Sequence, residues 1–245
     1  MSDLPIVTAG RPLPSEPGYA LPVDKPPGLT SFGVIRRLRR FLGVKKIGHA
    51  GTLDPMATGL LICLVGRPAT REQDRFMGLP KEYSGTLRLG ETTASYDAET
   101  AVEARTPLAR PPDEGELEAA RRQFLGEIEQ VPPVYSAIKQ GGERLYKKAR
   151  RGESVEVKAR RVTVTAFDLG VPRQVSADTF DLDFEVACSK GTYIRSLAHD
   201  LGQVLGVGAH LVALRREAIG PHRVAEAWTL DALQAATEVP DVPEA

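Results

Sequence analysis

The chain has 245 residues, 42% of them hydrophobic and 26% charged, which is enough apolar material for a packed core beneath a solvated surface. Thirty-two Lys and Arg balance 32 Asp and Glu, so the net charge alone points to no acidic or basic partner. No apolar run reaches the ~20 residues of a membrane helix, the N-terminus lacks a basic-then-apolar leader, and two cysteines in strand-like contexts make neither a disulfide framework nor a zinc site. These absences make the cytoplasm the expected compartment. The charge is unevenly spread, however. RRLRRFLGVKK (36–46) and KKARRGESVEVKARR (147–161) are basic, while PPDEGELE and the tail EVPDVPEA hold acid. A neutral total can therefore hide a basic face that meets phosphates.

Residues 1 to about 18 are rich in Pro and Gly and predict a loose arm. YALPVDKPPGLTS reads as a short strand entering a proline-stiffened loop. A helix follows, with Thr30 or Ser31 as N-cap, Val34, Ile35, Leu38, Phe41 and Leu42 at helical spacing, and Gly43 as its stop. Arg36, Arg37, Arg39 and Arg40 fill its opposite face. GHAGTLDPMATGLLICLV (48–65) supplies a glycine-rich loop and a buried strand, with Asp54 at the strand's lip. KEYSGTLRLG (81–90) is a strand ended by Gly90. DEGELEAARRQFLGEI reads as a helix with acids in its first turn. EQVPPVYSAIKQGGERLYKKARRGESVEV has little periodicity and reads as an excursion out of a sheet. RRVTVTAFDLG and DTFDLDFEVACSKG are strands; in the second, Phe180, Leu182, Phe184 and Val186 alternate with Asp181, Asp183 and Glu185. TYIRSLAHDLGQVLG is a helix with Ile194, Leu197, Leu201 and Val204 on one side, and TLDALQAA closes the chain as another. Strands and helices are interspersed without regular βαβ repetition, so the class is mixed α/β or α+β on one extended sheet.

Asp54 precedes Pro55, which keeps its backbone out of a helix. It is either a turn aspartate or a working carboxylate mounted on a loop anchored by core. A working carboxylate needs a partner to stay ionised under a substrate. Arg195, beside Tyr193 in SKGTYIRS, can supply one; its plainer reading is a surface pair with Asp200 or Glu185. Tyr83 could stack on an unpaired base or serve as an ordinary strand tyrosine. His49, in the loop, is a polar surface group or an RNA contact, with no metal partners beside it. Asp181, Asp183 and Glu185 read as a solvated strand face. No nucleotide-binding glycine pattern is present. An aspartyl hydrolase built on TLDP would need a second matching loop, which the chain lacks.

Five blocks carry a resemblance. DKPPGLTS (24–31), KKIGHAGTLDPMATGLLICLVGRPATR (45–71), KEYSGTLRLGETT (81–93), VPPVYSAIKQGGERLYKKARRG (131–152) and CSKGTYIRSLAHDLGQVLGVGAHLVALRR (188–216) resemble, in order, the motifs of the TruB family of tRNA pseudouridine synthases. They fall within residues 20 to 232.

The resemblance implies a pseudouridine synthase fold and isomerisation of a uridine at position 55, in the tRNA T loop, without cofactor or metal. Asp54 matches the catalytic aspartate. Tyr83 matches the tyrosine that stacks on the target base and is a candidate for proton transfer from C5, and Arg195 matches the arginine paired with the catalytic carboxylate. Tyr193 and Leu214 match positions lining the uracil pocket. His49 matches a histidine holding the flipped-out T loop, and Lys25 a basic residue that is structural or phosphate-binding. Residues 131–152 match the thumb that grips the RNA, with Tyr135 and Tyr146 among its charges. The expected organisation is an N-terminal arm over 1–18, a catalytic domain over 19–236 and a tail over 237–245, with no C-terminal RNA-binding domain. The expected partner is the T arm of tRNA, bound by a monomer with neither membrane nor protein partner. One departure stands out: Ala94 occupies a place where the family often has an aspartate, although Asp97 is close. A second class of function, a catalytically silent tRNA-folding chaperone, would not need Asp54, Tyr83 and Arg195 together.

Overall fold

The computed structural model describes residues 4–136, 138–151, 153 and 155–238, with the backbone alone at 139, 144, 146, 147 and 150. The first elements are β1 (Tyr19–Lys25), α1 (Ser31–Leu42), β2 (Ile47–Ala50), β3 (Thr58–Val65), α2 (Gly66–Arg71), α3 (Gln73–Met77), β4 (Lys81–Leu89), β5 (Glu91–Thr93) and β6 (Val102–Arg105). Then come α4 (Glu114–Arg122), β7 (Gly126–Gln130), β8 (Lys139–Gln140), β9 (Glu143–Arg144), α5 (Leu145–Arg150), β10 (Arg160–Leu169) and β11 (Arg173–Gln174). The last are β12 (Phe180–Cys188), α6 (Ile194–Val204), β13 (Ala209–Ile219), β14 (His222–Arg223) and α7 (Leu230–Thr237). The chain divides into two compact units, residues 1–82 with 215–245, and residues 83–214. Each holds a sheet with helices, so the mixed class expected from the sequence is the class observed.

In the first unit β3 is central. β1 runs antiparallel along its whole length, from Tyr19 opposite Val65 to Lys25 opposite Gly59. On its other side β2 covers the C-terminal half, from Ile47 opposite Val65 to Ala50 opposite Ile62. Past the end of β2, Arg215 and Arg216 of β13 pair in parallel with Thr58 and Gly59. Both faces of β3 are buried. Leu61, Cys63 and Val65 pack with Val34, Ile35 and Leu38 of α1 and Leu233 of α7. Leu60, Ile62 and Leu64 pack with Ala69, Phe76 and Ile219. Burial on two sides explains why this strand is a continuous apolar run rather than an alternating one. Each of its leucines and Ile62, at 0% exposure, contributes about 1.5–3 kcal/mol.

α1 is capped by Thr30, whose side chain accepts from Gly33 N–H, and stops at Gly43, in the left-handed conformation at φ 65°. Residues 5–9 differ from the expected loose arm. Val7 is buried and donates to Ala20 O at 2.9 Å, and Trp228 Nε1 donates to Val7 O at 3.1 Å. The proline content marks a segment without helix, but the apolar Val7 and paired backbone fasten it to β1.

In the second unit the strand order runs β4, β12, β10, β7, with β11 on the far part of β12. β12 alternates as expected: Phe180, Leu182, Phe184 and Val186 are buried, while Asp181 pairs with Arg88 at 2.8 Å and Asp183 with Arg173 at 3.0 Å. Cys63 and Cys188 are buried in the core and form no disulfide. α4 carries a full capping box between Asp113 and Glu116, but ends at Arg122. Gly126, at φ 84°, breaks the helical path, so GEI opens strand β7 instead of closing the helix. The helical stripe of α6 also ends early, because Val204 is exposed. The excursion between β7 and β10 contains the short β8–β9 pair and α5. β13, 11 residues long, corresponds to no element expected from the sequence.

Candidate active site

In the first unit Asp54 sits on the loop 51–57, which leaves the sheet where β2 stops and β13 begins along β3. The loop is pinned at several points. Leu53 is buried, and Ser31 Oγ both accepts from Leu53 N–H at 2.9 Å and donates to Leu53 O at 3.1 Å. The sequence offers Ser31 as a helix cap; that task falls to Thr30, which leaves Ser31 for the loop. Arg216, 2% exposed, donates to Leu60 O at 2.7 Å and to Gly51 O at 3.0 Å. Ala57 is fully buried and its N–H closes a turn on Asp54 O at 3.1 Å. Asp54 itself is half-buried, and its carboxylate interacts electrostatically with Lys25.

Lys25 is 0% exposed and its ammonium donates to Pro26 O at 2.9 Å, Leu29 O at 2.6 Å and Pro55 O at 3.2 Å. Burial pushes its pKa down to about 8, while Asp54 pulls it up and Arg216 pushes it further down. Enclosed in this way, Lys25 is not an exposed loop cation but a brace joining the 24–31 loop to the Asp54 loop. His49 is likewise not in a loop but in β2, opposite Cys63. Burial, then Arg216, lowers its pKa and favours the neutral ring. Its Nδ1 is buried without a hydrogen-bond partner among the described residues.

In the second unit Tyr83 lies on β4, half-buried, and Leu214 lies buried on β13. Tyr193 is the N-cap residue of α6 and gives it no side-chain cap. Gln130 instead holds the backbone of this N-cap residue, accepting from Tyr193 N–H at 2.7 Å and donating to Tyr193 O at 3.0 Å. Arg195, 5% exposed, donates to Ser95 O at 3.0 Å and Tyr135 O at 2.9 Å, and stands 3.4 Å from the Asp97 carboxylate. The plain reading of Arg195 as a surface pair with Asp200 or Glu185 is thus overturned. Asp97 is itself 1% exposed and accepts from Glu99 N–H at 2.9 Å. Tyr146 lies outside the described side chains.

Arg216, Ser31 and Gln130 are site residues that the sequence does not single out. Ser31 and Arg216 have nothing local to mark them, since their partners lie 22 and 165 positions away. For Gln130 an amide next to VPP is a visible but ambiguous signal.

The chain matches two family models. TruB family pseudouridylate synthase (N terminal domain) covers residues 39–194, and tRNA pseudouridylate synthase B C-terminal domain covers 195–241. A tRNA pseudouridine synthase B of Opitutus terrae is 50% identical over 213 residues, 87% of this chain and 86% of that protein. The Thermobifida fusca protein of the same name is 50% identical over 226 residues, 91% of this chain and 76% of its own. Among solved structures, a chain of the Cbf5-Nop10-Gar1 complex superposes with a TM-score of 0.63 at 30% identity. A chain of an H/ACA RNP bound to a substrate RNA containing 2'-deoxyuridine does so at 0.60 and 27%. This chain is covered to 86% in both, and spans about half of those longer chains, 52% and 51%.

Proposed function

We propose that this chain, which belongs to the TruB family of pseudouridylate synthases, isomerises uridine to pseudouridine in tRNA, at position 55 of the T loop. The observation that carries the proposal is Asp54, held on a loop fastened at Gly51, Leu53, Pro55 and Ala57 within a chain 50% identical to proteins named for this reaction. A rigid mounting of one carboxylate is what a single-residue attack or proton abstraction requires.

The reaction conserves atoms. The bond between C1′ and N1 breaks, the uracil turns, C5 bonds to C1′, a proton leaves C5 and N1 takes one up. The base must first leave its stack, and a T loop offers splayed bases more readily than a helix. In this reading Asp54 acts at the reacting sugar or ring, as nucleophile or as base. Tyr83 stacks on the uracil and stands near C5. Arg195 provides the positive charge that keeps the catalytic carboxylate ionised, and Tyr193 and Leu214 wall the uracil. His49 contacts the RNA as a neutral ring, by stacking or hydrogen bonding, because its environment disfavours the cation. Residues 131–152 grip the loop. One T arm engages one active site, so the functional unit is a monomer, working in the cytoplasm where tRNA is modified. No helix among the described residues is long and apolar enough to cross a membrane.

The experiment is tritium release from a T-arm RNA carrying 5-tritiated uridine, with wild type and Asp54→Asn. Release by wild type and none by Asp54→Asn is expected. No release by a wild-type protein that binds the RNA would overturn the function; release by Asp54→Asn would overturn the role of Asp54.

A further inference from the structure

The two ends of the excursion 131–159 are fixed by one cross-strand pair, Gln130 at the end of β7 opposite Arg160 at the start of β10. Both residues turn to Tyr193. Gln130, 1% exposed, holds the Tyr193 backbone at two points, 2.7 Å at N–H and 3.0 Å at the carbonyl. Arg160 lays its guanidinium over the Tyr193 ring, 4.4 Å from the centroid. Its Nε and Nη2 are buried without hydrogen-bond partners among the described residues, and burial lowers its pKa. The ring face is thus a principal compensation for this desolvated cation. Two further bonds run the same way: Ser196 Oγ donates to Val131 O at 2.7 Å, and Arg195 Nη2 donates to Tyr135 O at 2.9 Å.

These bonds tie the root of the excursion to the first turn of α6. A buried glutamine that merely satisfied itself would need only one partner of each kind, from anywhere. Here both amide atoms go to the same residue, which fixes the backbone at Tyr193 and so aims its ring. The tie falls on the N-cap residue of α6, which gives that helix no side-chain cap of its own.

We propose that Gln130 is a positioning residue for the reaction. It sets the backbone of Tyr193, and through the same turn the direction of Arg195, with Arg160 holding the ring from the other side. The inference rests on the proposed function, in which Tyr193 and Arg195 belong to the catalytic site. Gln130 touches neither substrate nor reacting atoms. It acts on the chemical step more than on RNA affinity, since a tyrosine turned by a fraction of an ångström still leaves the RNA-gripping surface in place.

The test compares wild type, Gln130→Ala, Gln130→Glu and, as a control, the core truncation Val162→Ala on β10. Single-turnover tritium release from T-arm RNA, RNA Kd and Tm are read for each. Gln130→Ala should slow release about tenfold or more while Kd changes less than about threefold. Gln130→Glu keeps the acceptor for Tyr193 N–H and should recover part of the rate. Val162→Ala should lower Tm comparably yet keep the wild-type single-turnover rate. A wild-type rate in Gln130→Ala, or a rate loss in Val162→Ala matching that of Gln130→Ala, overturns the positioning role alone. Absence of tritium release by the wild-type protein overturns the functional reading and this assignment with it.

Discussion

The carboxylate of Asp97 stands 3.4 Å from the guanidinium of Arg195, with both side chains at 5% exposure or less. Two carbonyls, of Ser95 and Tyr135, accept other protons of the guanidinium. Arg195 is therefore held in place by its own unit, independent of any substrate. Removing one member of such a buried pair leaves the other charge uncompensated, at a cost of about 3–5 kcal/mol. Asp97→Asn should lower unfolding stability by about 3 kcal/mol in urea titration, with a slope unchanged from wild type. A loss under about 1 kcal/mol, the size of an exposed pair, would mean that the charge is balanced by other groups.

Arg195→Ala should reduce single-turnover rate far more than tRNA affinity. A phosphate contact would do the reverse, weakening Kd and leaving the rate on bound RNA intact. The two parameters measured on one preparation separate these outcomes.

Lys25 predicts a pH dependence. Its folded pKa, about 8, lies below the ordinary 10.5, because burial outweighs the pull of Asp54. Between these values the unfolded chain binds the extra proton, so the Lys25 contribution to stability rises as pH climbs through this window and is lost as pH falls through about 8. Lys25→Met should flatten that part of the stability profile. It should also cost about 2–3 kcal/mol near neutral pH, because Pro26 O and Leu29 O lose the Lys25 donor and Pro55 O keeps only Gly28 N–H. A profile across this window that is identical to wild type would refute the assignment.

Gly59 is at φ 97°, and a Cβ there would lie 2.4 Å from Arg216 O and 2.7 Å from Arg216 N. Gly59→Ala must strain the left-handed backbone and push β13 from β3, at about 3 kcal/mol or more. Because Arg216 also holds Gly51, the Asp54 loop should loosen with it. Faster hydrogen exchange at residues 51–57 in Gly59→Ala is the expected sign; protection equal to wild type would contradict the linkage.

Arg36, Arg37 and Arg40 line one groove between α1 and α7. α1 begins at Ser31, which is bonded to the Asp54 loop, and rises about 1.5 Å per residue, so Arg40 stands only ~14 Å along the helix from that anchor. Under the proposed function, with the tRNA engaged at Asp54, these cations are candidates to meet its phosphates. The double variant Arg36→Glu with Arg40→Glu should weaken RNA binding and reduce the salt dependence of log Kd by about 0.7–0.9 for each phosphate no longer neutralised. An unchanged salt slope would make the arginines a solvated helix face.

Much of this protein is legible in the chain alone. The periodicity of α1, the alternation of β12 and the apolar run of β3 follow from side-chain spacing, which is local. Asp54 beside Pro55, and the blocks resembling the family, mark the loop proposed as catalytic for the same reason. The tertiary structure decides what depends on distant partners. Lys25, open by sequence to a structural or a phosphate-binding role, is a buried brace, because three carbonyls close around it. His49 leaves its expected loop for β2, because the backbone of β3 is there to pair with. GEI becomes a strand rather than a helix end, because Gly126 leaves the helical path and β10 is there to pair with Gly126 to Gln130. Ser31, Asp97, Gln130 and Arg216 gain their roles from residues far along the chain, and hydrogen bonds and ion pairs over such separations leave no periodic trace in a sequence.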